Sequence, residues 1–321
     1  MSAIFGVLLS HAGTNYAEAK VLTSIRPLGF IASAITDGVT QTDVLLPDGA
    51  SPHNYALKPS DIERLHNADL VVWVGPTMES FLTKITQKIE DKNNLILSIL
   101  PNINSLLIKS HQECCYESLP QKNSIKKYKN INNLVKTHST SLEKHNVCNN
   151  SQYNLHIWLS PAIAKNIAIA IHSKLLLQNP QKKNKLDLNL RKFEEQLEQT
   201  EKKIVIMLQP VLGKGYFVFH DAYGYFEKTF GLTPLGYFTV NPAIQPGAQR
   251  LHQIRTQLVK PQAIFAEPQF RPAIISVVSQ GKIVHQGTLD PLGTAIALGA
   301  NSYMQFLTQL SQQYVNCLNE Y

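Results

Sequence analysis

Short apolar runs alternate with amphipathic stretches along most of the chain, which is the pattern of strands followed by helices. The run DLVVWV at residues 69–74 is almost continuously apolar, which is typical of a strand buried on both faces of a parallel sheet. Other strands are predicted at residues 20–25, 42–46, 215–219, 262–268 and 281–285. Predicted helices occupy residues 27–35 and 302–318, and others begin at residue 58 and after Asp221. This alternation predicts an α/β fold with layered helices and sheets.

One polar segment, residues 181–209, differs because it is rich in Lys, Glu, Gln and Leu and contains neither glycine nor proline. Its apolar residues recur at roughly helical spacing, at Leu190, Phe193, Leu197 and Ile204. A helix of this length would extend about 40 Å. The pattern fits a surface helix that buries one stripe, and it also fits a rigid connector between two lobes.

The N-terminus carries features of an export signal. Residues 3–9 form a short apolar run, and residues 17–19, Ala-Glu-Ala, fit the small-x-small pattern of a secretory cleavage site. The positively charged start of a signal peptide is missing, so a buried first strand is the alternative. No later run approaches the ~20 consecutive apolar residues of a membrane span, so we expect the protein not to be membrane-embedded.

The formal net charge of +7 comes largely from a polar insertion at residues 108–153, which contains seven lysines and three glutamates. We interpret this segment as solvated rather than as a binding face. No nucleic-acid-binding motif occurs, so nucleic acid is not expected as a partner. The four cysteines are Cys114, Cys115, Cys148 and Cys317. They form no Cys-x-x-Cys pair, so neither a zinc finger nor a redox motif is indicated.

Three histidines differ from the others because each lies in a loop or at the end of a predicted strand: His53, His156 and His220. Ligands of α/β proteins bind at the carboxyl ends of strands, and neutral imidazole is the commonest metal-binding side chain. Three converging imidazoles would suit zinc. The gaps between these histidines exceed 60 residues, so they form no local motif. Residue types alone leave both a shared metal site and separate structural roles open.

Eight segments carry a resemblance to a known family. The longest are LTSIRPLGFIASAI at residues 22–35 and GKGYFVFHDAYGYFE at residues 213–227. Shorter ones lie at residues 44–51, 68–76, 231–236, 241–251, 265–272 and 287–293. Apart from the polar insertion, the chain after residue 19 resembles the ZnuA family, the periplasmic zinc-binding proteins of high-affinity zinc ABC importers.

The resemblance implies an α/β fold with two Rossmann-like lobes joined by a long rigid helix. The implied organisation is a signal peptide at residues 1–19, an N-terminal metal-binding lobe at 20–179 that includes the insertion, a connecting helix at 180–209 and a C-terminal metal-binding lobe at 210–321. Release of a ligand held between such lobes would involve small hinge or loop motions, since a stiff helix limits larger ones.

The same resemblance implies that Zn²⁺ lies between the lobes on His53, His156 and His220, as a transported ligand rather than a catalytic cofactor. Related manganese-binding proteins use carboxylates at more of these positions, so histidine at the third position favours zinc. The implied protein is an exported periplasmic monomer that delivers Zn²⁺ to an ABC permease and is not an enzyme. The alternatives are a manganese-binding relative and a zinc hydrolase, although the chain has no His-Glu-x-x-His motif.

Three departures from the family pattern modify this expectation. Pro52 stands where relatives often carry Glu, which leaves water or Asp290 as the fourth zinc ligand. The insertion is rich in Lys and Asn rather than in His and acidic residues, so an auxiliary zinc site is not expected. Cys317 matches one cysteine of the family's disulfide, but the region around Ile264 supplies no partner, so we expect no such bridge.

Each metal-binding imidazole also needs a hydrogen-bond acceptor for its other ring nitrogen. Glu79, Glu267 and Asp221 are the sequence candidates for this role. Because protons compete with a metal for imidazole, binding should weaken as the pH falls below ~6.5.

Overall fold

The computed structural model describes residues 20–110, 153–258, 262–270 and 273–320. The predicted signal peptide, most of the polar insertion and three of the four cysteines lie outside the described residues. The two described ends of the insertion meet, because Lys109 and Tyr153 form an antiparallel bridge. The two ends of the insertion that the structure describes are therefore adjacent.

Four parallel strands form the N-terminal sheet, in the order β2-β1-β3-β4. They are β1 (Lys20–Thr23), β2 (Gln41–Val44), β3 (Leu70–Trp73) and β4 (Asn94–Ile96). Every residue of β3 is buried, as its continuous apolar run predicts for an inner strand of a parallel sheet.

Five α-helices accompany this sheet in the described chain: α1 (Arg26–Thr36), α2 (Pro59–His66), α3 (Thr83–Thr86), α4 (Pro101–Asn104) and α5 (Pro161–Gln178). Helix α1 is buried along almost its whole length because it contacts β1 and β2 as well as α5. Ser160 caps α5, since its hydroxyl oxygen accepts a hydrogen bond from the Ile163 N–H at 3.2 Å.

The long polar segment forms α6 (Lys183–Leu208), a helix of 26 residues with a short 3₁₀ turn at each end. Leu186, Phe193, Leu197 and Ile204 are buried along one stripe, whereas Leu190, predicted to belong to it, is only partly buried. Helix α6 packs against α1 and α5, and against the C-terminal helix of the chain. It is thus a helix with one buried stripe that also connects the two halves.

The second sheet repeats the strand order of the first, as β6-β5-β7-β8, again entirely parallel. Its strands are β5 (Tyr216–His220), β6 (Gly236–Thr239), β7 (Gln262–Ala266) and β8 (Val284–Thr288). The helices are α7 (Gly224–Phe230), α8 (Ala248–Gln257), α9 (Ala273–Ser279) and α10 (Ser302–Leu318). Two parallel sheets joined by a long helix confirm the predicted fold class.

The halves share one hydrophobic core, which includes Phe30 from α1, Phe193 from α6 and Tyr303 from α10. The Tyr303 hydroxyl donates a hydrogen bond to the Trp158 carbonyl at 2.7 Å, and the Trp158 indole N–H donates to the Pro291 carbonyl at 2.7 Å. Because these bonds cross between the halves, the halves are held together by packing as well as by the chain. Among the described helices, none has the length and apolar character that crossing a membrane requires.

Candidate metal site

His53 lies in the loop that follows β2, within the turn sequence PDGASPHN. The Ser51 hydroxyl accepts a hydrogen bond from the His53 backbone N–H at 3.3 Å, which helps to fix the end of the turn. The adjacent Pro52 is buried and lines the same cavity as the His53 ring. An apolar proline therefore occupies the position next to this histidine.

His156 is buried at the start of the short 3₁₀ turn that precedes α5. The Asn154 Oδ1 accepts hydrogen bonds from the His156 backbone N–H at 3.0 Å and from its ring Nδ1 at 2.8 Å. An amide oxygen only accepts, so this contact places the ring proton on Nδ1 and leaves a lone pair on Nε2. The Asn154 amide in turn donates to the Asp221 carbonyl at 3.0 Å, which holds Asn154 in this orientation.

His220 is the last residue of β5, and Glu267 follows the neighbouring strand β7. Because parallel strands end at the same edge of a sheet, the two side chains meet there. The Glu267 Oε1 lies 3.1 Å from the His220 Nδ1, and both side chains are buried. A carboxylate at Nδ1 fixes the ring proton on that nitrogen, so Nε2 is again free to bind a metal.

The three imidazoles come together at one point. Their ligand atoms lie within 4.8 Å of one another, and the ring centroids are separated by 4.6 Å for His156 and His220, 5.0 Å for His53 and His220, and 5.4 Å for His53 and His156. The Nε2 atom of each ring is buried and has no hydrogen-bond partner among the described residues. Buried polar atoms are normally paired, so three unpaired ring nitrogens at one point fit a bound cation.

Burial also favours the neutral form of two of the three imidazoles. Desolvation, with a smaller contribution from the nearby His220, lowers the pKa of His53 to about 3. The pKa of His156 is lowered well below its ordinary value by desolvation first and by the two other histidines second. Neutral imidazole is the form that binds metals. At His53 and His156, proton competition is therefore expected at a lower pH than the ~6.5 predicted from ordinary histidines.

One of the three predicted acceptors has the expected contact, namely Glu267 with His220. Glu79 has no hydrogen bond to the three histidines among those found in the described chain, and its carboxylate accepts the Gly75 N–H at 3.0 Å. Asp221 contributes its backbone carbonyl to Asn154. Asn154 was missed, although it lies only two residues before His156 and its amide oxygen is a hydrogen-bond acceptor.

Asp290, one candidate for the fourth ligand, uses its carboxylate to organise its own loop. Its Oδ1 accepts the backbone N–H groups of Leu292 at 3.0 Å and Gly293 at 2.9 Å. Its Oδ2 accepts the N–H of Thr294 at 2.7 Å and the Thr294 hydroxyl at 2.8 Å. Four hydrogen bonds satisfy both oxygens, and the cluster of potential metal ligands in the described chain does not include Asp290.

Among the described residues, Cys317 is a buried cysteine without a disulfide partner. Burial raises the pKa of this thiol to about 11, with a further contribution from Glu320. Its sulfur would lie only 2.8 Å from a Cβ placed on Gly287 of β8. The thiol therefore packs against the second sheet as a small apolar group.

A family model described as "ZnuA: Zinc-uptake complex component A periplasmic" matches residues 21–317. The chain belongs to this family. The ZnuA family is one of transport components rather than enzymes, which sets aside the hydrolase alternative. Its description also agrees with the predicted periplasmic location.

Similar proteins from several bacteria agree with the family assignment. The high-affinity zinc uptake system protein ZnuA of Yersinia pestis is 59% identical over 306 residues, covering 95% of this chain and 92% of the relative. The ZnuA protein of Haemophilus influenzae is 41% identical over 331 residues, covering 99% and 98%.

Solved structures show the same fold at lower sequence identity. A crystal structure of ZnuA aligns with a TM-score of 0.68 and 21% identity, covering 94% of this chain and 99% of that chain. The periplasmic zinc-binding protein TroA from Treponema pallidum aligns with a TM-score of 0.68 and 19% identity over the same shares. The chain therefore has the same fold as these two structures.

Proposed function

We propose that this protein captures Zn²⁺ with His53, His156 and His220 and delivers it to the permease of a zinc-uptake complex. The observation that carries the proposal is the convergence of three buried Nε2 atoms without hydrogen-bond partners in the described chain. The relatives from Yersinia pestis and Haemophilus influenzae are named as high-affinity zinc uptake proteins, which supports zinc as the cargo.

The donor set favours zinc over manganese. Three neutral imidazoles are borderline-soft nitrogen ligands that suit Zn²⁺, whereas Mn²⁺ prefers carboxylate and carbonyl oxygens. Glu267 lies behind His220, at its Nδ1, and not among the clustered ligand atoms. In this position its charge strengthens the imidazole as a ligand without adding a hard oxygen to the metal.

Water is the fourth ligand in this proposal. Zinc sites are usually tetrahedral, so three imidazoles leave one open position. The Pro52 side chain has no ligand atom, and the two Asp290 carboxylate oxygens already accept four hydrogen bonds. An open position is also useful to a carrier, because a metal held by three ligands and water is released more readily than one in a closed four-residue site.

The proposed lobes are residues 20–179 and 210–321, with residues 180–209 as the connecting helix. Because α1, α5, α6 and α10 pack in one core, large rotations of the lobes would break that packing. Release to the permease is therefore proposed to involve local movement of the loops that carry the histidines. We propose that residues 1–19 direct export and that the mature protein acts as a monomer.

The decisive experiment is calorimetric titration of the zinc-free protein with Zn²⁺. The wild type should bind one ion tightly, and His220→Ala should remove that binding while the zinc-free protein stays folded. His66→Ala is a matched control, since His66 is exposed on α2. Equal zinc affinity in the wild type and His220→Ala would overturn the proposal.

A further inference from the structure

Gln269 is a polar residue of the site cavity that neither motif nor metal-ligand chemistry singles out. Its side chain lines the same cavity as the three histidines. Both amide atoms, Oε1 and Nε2, are buried and have no hydrogen-bond partner among the described residues. Buried amides are normally paired. An amide with both polar atoms unpaired, in the same cavity as three unpaired imidazole nitrogens, therefore suggests that one polar ligand binds to all of them.

The turn that contains Gln269 also contacts His220, through Glu267. The Phe270 backbone N–H donates to the Glu267 carbonyl at 3.0 Å, which closes a turn immediately after β7. Glu267 contacts His220 at 3.1 Å, and the Phe270 ring packs at 5.9 Å between centroids against Phe219, the residue before His220. Gln269 lies between two residues anchored to the end of β5, so its position is tied to that of His220.

We propose that the Gln269 amide hydrogen bonds the water molecule that occupies the fourth zinc position. This inference rests on the proposed function, since it needs zinc on the three histidines. A zinc-bound water can donate hydrogen bonds as well as bind the metal, and an amide oxygen is an acceptor for one of them. The amide is neutral, so it orients the water without adding the hard anionic oxygen that would favour manganese.

If Gln269 served only to stabilise the fold, its replacement would lower the stability of the zinc-free protein. An amide that stabilises the fold would have hydrogen-bond partners in the protein, and its removal would lower stability. Gln269 has none among the described residues, so replacing it with an apolar side chain removes unpaired polar atoms rather than bonds. Its contribution appears only when the metal and its water are present.

The test compares Gln269→Leu with Gln286→Leu, the same substitution at an exposed position of β8. Zinc affinity is measured by competition with a chelator, and the melting temperature is measured without metal. Gln269→Leu should weaken zinc binding about fivefold, the effect of one net hydrogen bond, with an unchanged or higher melting temperature. Gln286→Leu should leave the affinity at the wild-type value.

A second variant, Gln269→Glu, replaces the amide with a carboxylate of nearly the same size in the same cavity. We expect it to raise the affinity for Mn²⁺ relative to Zn²⁺, because an anionic oxygen beside the fourth position suits manganese. Unchanged zinc and manganese affinities in both Gln269 variants would overturn the inference, as would a lower melting temperature of metal-free Gln269→Leu. If His220→Ala also keeps wild-type zinc affinity, the proposed function fails. If His220→Ala loses zinc binding but the Gln269 variants keep wild-type zinc and manganese affinities, this inference fails and the proposed function stands.

Discussion

Glu267→Gln tests how strongly a residue behind the metal ligands controls zinc affinity. The Glu267 Oε1 lies 3.1 Å from the His220 Nδ1, and the side chains are only 4% and 3% exposed. The substitution keeps an acceptor of nearly the same size but removes the negative charge. A hydrogen bond to a charged group contributes about 1.5–3 kcal/mol, and a neutral one about 1 kcal/mol. Loss of such a partner of a ligating histidine typically lowers metal affinity about 10–100-fold.

The assay is competition for zinc between the protein and a chromophoric chelator at fixed pH and ionic strength. Glu320→Gln is the matched control, because Glu320 lies 3.4 Å from the His285 Nδ1 in the same kind of contact but is 65% exposed. It should leave zinc affinity unchanged. Similar affinities for wild type and Glu267→Gln, or equal losses in the two variants, would refute the argument that this buried carboxylate strengthens His220 as a ligand.

Two further predictions concern stability. Burial raises the pKa of Glu79 from 4.5 to about 7. The folded protein therefore keeps a proton on this carboxyl that the unfolded chain loses near pH 4.5. The stability that this proton contributes is lost as the pH rises through 7. Glu79→Gln should therefore be more stable than wild type at pH 8 by roughly 1–3 kcal/mol and nearly equal to it at pH 4. The measurement is the free energy of unfolding in urea, with Glu90→Gln at an exposed position as the control. A difference that does not depend on pH, or a similar gain in Glu90→Gln, would contradict this prediction. Phe193→Ala should lower the free energy of unfolding by about 3–5 kcal/mol, because Phe193 is 1% exposed and packs at 5.8 Å between ring centroids against Tyr303. Ile206→Ala on the same helix, where Ile206 is 73% exposed, should cost little; equal losses would show that α6 is not part of a shared core.

Strand and helix positions followed from the sequence where local pattern and tertiary packing agree. Helix α10 has the predicted bounds, Ser302–Leu318. Strand β8 does not, because it was predicted at residues 281–285 and is Val284–Thr288. Gly281 has a positive φ of 73° and belongs to the preceding turn. The register with β7 then carries the strand through Gly287, where a Cβ would approach the Phe265 ring within 2.6 Å.

The contacts of the site residues could be predicted from the sequence to different degrees. His220 ends β5 and Glu267 follows the adjacent strand β7, so their contact follows from the order of the parallel strands. Asn154 has no such signal, because it acts from an irregular segment beside the insertion. Asp290 was a reasonable ligand by residue type, but its oxygens turn into its own loop, where backbone N–H groups satisfy them.

The sequence by itself determined which side chains are available: three imidazoles at strand ends or in loops, a proline beside the first, and two runs of alternating strands and helices around a long polar helix. Those choices are local, because they depend on apolar periodicity and turn residues. Only the tertiary structure decided that His53, His156 and His220 meet and that their Nε2 atoms are left unpaired. These residues are more than 60 positions apart, and what joins them is the single core in which α1, α6 and α10 pack. That packing is non-local, so it brings the loops of two separate sheets to one point that no spacing in the sequence encodes.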